Sequence, residues 1–80
     1  MIVATIRLFA SVRVAAGVGS DTVAGSTVGE VLQAATERYG DEFAGVAQTC
    51  KVWVNGEPAE MDDAVSDADE VAFLPPVSGG

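Results

Sequence analysis

Apolar and polar positions alternate along the first segment of the chain. One face of residues 2–8 carries only apolar side chains: Ile2, Ala4, Ile6 and Leu8. Because a period of two residues is that of a strand with one buried face, this segment predicts a β-strand. A short helical turn or loop is expected over residues 11–16. The glycine-rich turn at residues 17–20 then leads to a second strand around residues 21–24.

A helical period follows. Thr27 and Glu30 have the spacing of a capping box, which marks the start of a helix. The next apolar positions share one helical face: Val28, Val31, Leu32, Ala35 and Tyr39. Gly40 stands where a glycine commonly ends a helix. We expect Asp41 to cap a shorter second helix that runs through Val46.

The second half of the chain predicts three further strands. The first covers residues 51–54, and the Asn55-Gly56 pair after it is the strongest two-residue hairpin signal, so a return strand is expected over residues 57–59. Residues 61–68 are acidic and rich in turn formers. A last strand begins at Asp69 or Glu70 and ends at Leu74, before a proline.

The order of these elements predicts the fold class. An amphipathic helix has to cover one face of the sheet, since neither element can bury its apolar side alone. Strand, turn, strand, helix and further strands are the order of an α+β protein with a β-grasp, or ubiquitin-like, fold. We expect a mixed sheet of about five strands under one main helix over residues 1–74. An extended, flexible tail should follow over residues 75–80.

Length and charge narrow the function classes. Eighty residues form one small domain. Twelve acidic and four basic residues give a net charge of −8, which argues against binding to nucleic acid or to anionic membrane surfaces. No segment reaches the roughly 18 apolar residues of a membrane span, and no signal peptide is recognisable. The single cysteine fits a reducing compartment, so we expect a cytoplasmic protein.

Few side chains offer chemistry of their own. Histidine, the commonest general base, is absent. Cys50 is either a reactive thiol beside Lys51 or, as is more common, a small buried hydrophobe. The carboxylates between residues 62 and 70 lack the spacing of an EF-hand and are interpreted as turn formers. Trp53 either marks an interface or covers the edge of the core. We expect no metal site and no bound cofactor.

The last six residues have a composition of their own. Pro75 and Pro76 cannot donate backbone hydrogen bonds, so they direct the chain away from the sheet. Gly79 and Gly80 have no Cβ and let the backbone pass through a narrow channel. Such a tail could deliver its terminal carboxylate into a partner's buried site, where adenylation would make it an acyl electrophile. The alternative is a frayed terminus.

Several segments resemble one protein family. Residues 67–80, DADEVAFLPPVSGG, are similar to the C-terminal signature of the small, sulfur-carrier subunit of molybdopterin synthase. Residues 8–17, LFASVRVAAG, resemble its N-terminal signature, and TVGEVL and VNGE lie where that family has them. The resemblance covers the whole chain. Its tail motif is specific, since the related thiamine-pathway carrier usually lacks the run PPVSGG. Val14 replaces an acidic residue that is common in the family.

The resemblance implies a chemistry. An adenylyltransferase similar to ubiquitin-activating enzymes would adenylate Gly80 with ATP and magnesium, and a sulfur donor would convert the adenylate into a thiocarboxylate. The tail would enter the large subunit, where sulfur passes to a pterin precursor within a heterotetramer. Gly79 would give clearance, and the inserted segment would consist of Pro75, Pro76, Val77 and Ser78. The chain would then be a carrier and not an enzyme on its own.

Alternation along the last strand predicts where a partner docks. If Val71 and Phe73 point inward, Leu74 points outward beside the tail. Phe9 and Arg13 follow the first strand, which lies next to the last one in β-grasp folds. We predict that Phe9, Arg13 and Leu74 contact the partner, with core packing as the alternative for Phe9. Two functional alternatives stay open: a sulfur carrier for thiamine, cysteine or tRNA thiolation, and a ubiquitin-like modifier.

Overall fold

The computed structural model describes residues 2–76. Eight elements follow one another: β1 (Val3–Leu8), α1 (Ala10–Ala16), β2 (Ser20–Ala24), α2 (Val28–Tyr39), α3 (Asp41–Ala47), β3 (Lys51–Val54), β4 (Glu57–Pro58) and β5 (Glu70–Leu74). The order predicted from the sequence is confirmed, and the segment after β1 is a helix of seven residues. Within residues 2–76, no helix combines the length and apolar character needed to cross a membrane.

The five strands form one mixed sheet in the order β2-β1-β5-β3-β4. β1 and β5 run parallel, with Leu8 opposite Phe73, whereas the other neighbouring strands are antiparallel. The first and last strands therefore lie side by side in the centre of the sheet. This is the predicted β-grasp arrangement.

One face of the sheet carries the core. Ile6, Leu8, Val71 and Phe73 are at most 1% exposed. The helices contribute Val12, Val28, Val31, Ala35, Phe43 and Ala47. The rings of Phe43 and Phe73 meet edge-on with 6.4 Å between their centroids, a geometry that adds to the stabilisation from buried area. Side chains on the opposite face of the sheet are exposed or half-buried, so that face is open.

Helices α2 and α3 start differently. Thr27 caps α2 as predicted, since its hydroxyl accepts a hydrogen bond from the Glu30 N–H at 3.1 Å. The Glu30 carboxylate binds the N–H and the hydroxyl of Ser26 instead of the Thr27 N–H, so the reciprocal half of the capping box is shifted by one residue. The prediction that Asp41 caps α3 is wrong. Gly40, with φ of 95°, is the N-cap, and Asp41 is the first helical residue.

Polar side chains hold the turns of the second half. Asn55 and Gly56 have φ of 51° and 86°, as a type I′ hairpin turn requires. The Asn55 amide donates to Asp69 at 3.0 Å and accepts from the Glu70 N–H at 2.9 Å. Asp63 and Asp69 each accept a hydrogen bond from the backbone N–H three residues earlier. The interpretation as turn formers is confirmed for Asp63 and Asp69, whereas Glu70 is the first residue of β5.

Candidate functional site

The tail leaves the sheet at the end of β5. Val71 and Phe73 are buried in the core, whereas Ala72 and Leu74 point to the open face and are half-buried, as the alternation predicts. Pro75 follows Leu74 outside the strand, because proline has no N–H to continue the ladder. The tail therefore departs next to an apolar side chain that the fold only partly covers.

β1 ends beside β5. Because these strands are parallel and Leu8 lies opposite Phe73, the chain leaves both strands at the same end of the sheet. Phe9, the next residue, is 44% exposed, so it does not pack in the core. Its carbonyl oxygen accepts the N–H groups of Val12 at 3.2 Å and Arg13 at 3.4 Å. These bonds start α1 and fix the backbone that carries the Phe9 ring.

Arg13 lies over the turn that joins α1 to β2. A Cβ added at Gly19 would stand 3.2 Å from Nε of Arg13, so the missing side chain leaves room for the guanidinium. Arg7, Phe9 and Arg13 line a shallow depression together with residues 17–20. Phe9 and Arg13, predicted as partner contacts, are thus brought together on the β1 side of the tail exit.

A second depression lies on the β3 side. It is lined by Lys51, Trp53, Leu74, Pro75 and Pro76. Lys51 is the direct neighbour of Leu74 across the antiparallel pair, and Trp53 lies opposite Ala72, so Trp53 belongs to the open face beside the tail. Lys51 is not among the contacts predicted from the sequence, because the register of β3 on β5 is set by the whole sheet and cannot be read from either strand alone.

Basic residues concentrate around the tail exit. Three of the four basic residues of the chain line the two depressions: Arg7, Arg13 and Lys51. Among residues 2–76, no Asp or Glu belongs to either lining. Arg7 is 3.5 Å from Glu70, but both side chains are about half exposed, so this pair contributes at most about 1 kcal/mol. We call the following side chains of these two depressions the docking end: Arg7, Phe9, Arg13, Lys51, Trp53, Leu74, Pro75 and Pro76. This surface is locally basic on an acidic protein.

Cys50 is not an activated nucleophile. The side chain is half-buried, and its thiol donates to the Val46 carbonyl oxygen at 3.5 Å. Burial raises the pKa of the Cys50 thiol, which disfavours the reactive thiolate. Cys50 packs against the core, as the more common of the two interpretations predicts. In the part of the chain that the structure describes, no group of His, Cys, Asp and Glu side chains could hold a metal ion.

Comparison with known proteins covers nearly the whole chain. Residues 6–80 match the ThiS family. The chain belongs to this family. The resemblance to ubiquitin-like sulfur carriers is thereby confirmed. The match includes the predicted tail residues Val77, Ser78, Gly79 and Gly80, which lie outside the described residues. The curated proteins contain no match to this chain.

Several solved structures share the fold. SAMP1 from Haloferax volcanii is 30% identical with a TM-score of 0.83, over 98% of this chain and 99% of that one. A putative molybdopterin converting factor subunit 1 from Pyrococcus furiosus is 24% identical with a TM-score of 0.82, over 96% and 100%. A chain of the Amycolatopsis orientalis BexX/CysO complex is 25% identical with a TM-score of 0.82, over 96% and 99%. This ThiS family member thus has the ThiS-like sulfur-carrier fold, and its neighbours bear the names of different systems.

Proposed function

We propose that this protein carries sulfur, as a thiocarboxylate on Gly80, for the synthesis of the molybdenum cofactor. The observation that carries the proposal is that the ThiS family match extends through the tail to residue 80. The run PPVSGG at residues 75–80 adds the signature of the small subunit of molybdopterin synthase. Subunit 1 proteins of molybdopterin converting factor from Pyrococcus furiosus and Helicobacter pylori share the fold, the latter in a complex with subunit 2.

The proposed cycle uses the terminal carboxylate and no side chain of this protein. A carboxylate oxygen of Gly80 attacks the α-phosphate of ATP on the activating enzyme, where magnesium assists, and pyrophosphate leaves. Sulfur at the oxidation level of sulfide then attacks the acyl carbon, and AMP leaves with the electrons of the broken C–O bond. The thiocarboxylate sulfur then attacks a carbon of the pterin precursor in the large subunit and displaces an oxygen leaving group. Water hydrolyses the resulting acyl–sulfur bond, which leaves the sulfur on the pterin and restores the carboxylate of Gly80. Gly79 keeps the passage free of side chains.

The activating enzyme and the large subunit are both proposed to bind the docking end. Phe9, Trp53 and Leu74 offer apolar area around the tail exit, and Arg13 and Lys51 would pair with acidic groups at the rim of the partner's surface. Six tail residues span at most about 20 Å when extended. The partner's reaction centre must therefore lie within that distance of Pro75. Two copies of this chain and two large subunits would form a heterotetramer.

A modifier function is the second candidate. It is favoured by the 30% identity to SAMP1, a small archaeal modifier protein by name. In that case a lysine amine of another protein would attack the Gly80 adenylate, and an amide bond would form in place of the thiocarboxylate. Activation is common to both functions, so the product distinguishes them. Sulfur carriage in another pathway, such as cysteine synthesis, would differ only in the enzyme that accepts the sulfur.

Mass spectrometry of the intact chain tests the chemistry. The protein is incubated with the adenylyltransferase, ATP, magnesium and sulfide. We expect replacement of one oxygen by sulfur, assigned to Gly80 by fragmentation and absent without ATP. Fragmentation is needed because oxidation of Cys50 or a methionine adds nearly the same mass. An unchanged mass, or the same change in a chain that lacks Gly79 and Gly80, would refute the carrier mechanism.

The same reaction tests the docking end and the pathway. We expect Leu74→Ala to lower kcat/KM for activation about tenfold and Lys51→Gln to lower it less. Gln33→Glu, on the exposed face of α2, changes the net charge equally and should have no effect. Equal losses in all three variants would exclude the docking end.

The pathway is tested with the thiocarboxylate itself. The proposal is contradicted if the thiocarboxylate yields no dithiolene with the large subunit and pterin precursor. If a cysteine synthase consumes it instead, the protein belongs to that pathway.

A further inference from the structure

Strand β2 forms one edge of the sheet, and the register shows which of its backbone groups face outward. Gly25 N–H donates to the Ile2 carbonyl at 3.0 Å, and Leu8 N–H donates to the Gly19 carbonyl at 2.9 Å. In an antiparallel pair, bonded and non-bonded positions alternate. The odd-numbered residues of β2 therefore bond to β1. The even-numbered ones direct their N–H and C=O groups away from the sheet: Ser20, Thr22 and Ala24.

Both outward groups of Thr22, the central residue of β2, are already occupied. Its N–H donates to Oδ1 of Asp21 at 2.8 Å, and its carbonyl oxygen accepts from Nη1 of Arg38 at 2.8 Å. Arg38 comes from α2 and also donates to Oδ2 of Asp21 at 2.8 Å. The Tyr39 hydroxyl donates to the same carboxylate oxygen. Side chains of this protein thus take the positions that the backbone of an added strand would need.

The other edge of the sheet is closed in a different way. β4 has two residues, and Ala59 N–H donates to the Val52 carbonyl, so the alternation directs the nitrogen of Pro58 outward. Proline has no N–H, which makes it a common device against pairing at a sheet edge. Long edges with free donors and acceptors invite pairing with other chains. β2, with five residues, is the longer edge and needs the stronger protection.

We infer that Asp21, Arg38 and Tyr39 form a cap that closes the β2 edge to strand addition by a second copy of this chain. A second copy is the partner that the register favours. Antiparallel pairing of two β2 strands about Thr22 places Ser20 opposite Ala24 and matches every outward donor with an acceptor, as a two-fold symmetric contact requires. With both edges closed, the open face and the docking end remain for other proteins.

The first test uses the unmodified protein and amide hydrogen exchange. Thr22, Ser20 and Ala24 all point outward, but only the Thr22 N–H is bonded to a side chain in the cap. We expect the Thr22 amide to exchange at least about tenfold more slowly than the other two. Equal exchange at the three positions would show that the cap does not hold the edge, and it would overturn the inference.

The second test removes the cap. In Asp21→Thr/Arg38→Met both replacements keep side-chain bulk but lose the charges, and sedimentation velocity is measured from micromolar to millimolar concentration. We expect the unmodified protein to stay monomeric and the variant to form a reversible dimer. Adding Thr22→Pro to the variant removes the central outward donor and spares the β1 ladder, so it should restore the monomer. Near-ultraviolet circular dichroism of Trp53 confirms folding.

Two outcomes of the second test contradict the inference. A folded Asp21→Thr/Arg38→Met variant that stays monomeric at millimolar concentration shows that the edge needs no cap. A dimer that persists after Thr22→Pro forms through another surface. If the variant does not fold, the exchange rates of the unmodified protein decide.

Discussion

At the residue scale, Tyr39 reports on its surroundings, because it is the one tyrosine of the chain. Burial of the side chain and, second, its hydrogen bond to Asp21 raise the pKa of Tyr39 to about 12. The ordinary pKa of tyrosine is about 10. Because the folded-state pKa is the higher one, the neutral hydroxyl stabilises the fold fully below pH 10. This contribution is lost as the pH rises from 10 through 12.

Absorbance of tyrosinate measures this pKa directly. We expect the pKa of Tyr39 to decrease toward 10 in Asp21→Asn, because the charged acceptor is lost. The decrease should be incomplete, since burial is the larger cause and stays in place. Asp69→Asn is the matched control, because it removes a carboxylate that bonds to Ser66 and Asn55 instead. An unchanged titration in Asp21→Asn would refute the assigned bond.

Single residues that oppose their own local preference could not be predicted. Ala10 and Ala68 have φ of 51° and 68°, in the left-handed region that alanine disfavours. Gly25 allows a close backbone contact, since a Cβ there would stand 2.8 Å from the backbone nitrogen of Val31. Alanine gives no local signal for a left-handed conformation, and the close approach at Gly25 depends on how the start of α2 packs against it, so neither feature can be read from the residue types.

At the element scale, α2 depends on its N-cap. Thr27→Ala removes the acceptor of the Glu30 N–H, and we expect a loss of about 1 kcal/mol in the free energy of unfolding. Thr27→Ser keeps the hydroxyl and should recover most of the loss. Urea unfolding followed by Trp53 fluorescence measures both variants. Equal stability of the alanine and serine variants would mean that the hydroxyl does not cap the helix.

Elements were predictable where one local signal decided them. The alternation in β1 and β5, the stripe of α2 and the Asn55-Gly56 turn each depend on neighbours in sequence. The prediction for Asp41 was wrong because a carboxylate stabilises the N-terminus of a helix from its first turn as well as from the N-cap position. Leu74 could be predicted from alternation. Lys51 could not, because its position beside the tail depends on the β3–β5 register.

At the scale of the whole molecule, one end of the sheet combines what a carrier needs. The open face stays free of helices, the tail leaves beside half-buried apolar side chains, and most of the positive charge lies there. The β2 edge is closed by a charged cap and the β4 edge by a proline. The proposed function assigns this end of the sheet to successive partners, and the inferred cap would keep two copies of the chain from pairing through β2.

The same charge distribution predicts how salt changes stability. At a net charge of −8 the twelve acidic side chains repel one another, and only four basic residues offset this repulsion. The ion pairs Arg7–Glu70 and Arg38–Asp21 are both partly exposed, so their attraction is weak. Added salt screens both effects, and at this net charge we expect the repulsion to be the larger one. We therefore expect sodium chloride to raise the melting temperature at pH 7 by several degrees, about 4–8 °C for each kcal/mol in a domain of this size.

The pH at which the charges balance supplies the control for this prediction. Near the isoelectric point of about 4.1, the net repulsion disappears, and only attractive pairs are left for salt to screen. The increase in melting temperature should therefore vanish or change sign at that pH. If salt lowered the melting temperature at pH 7, the ion pairs would outweigh the repulsion. An equal increase at both pH values would instead assign the effect to salt acting on apolar burial, independently of the charge of this chain.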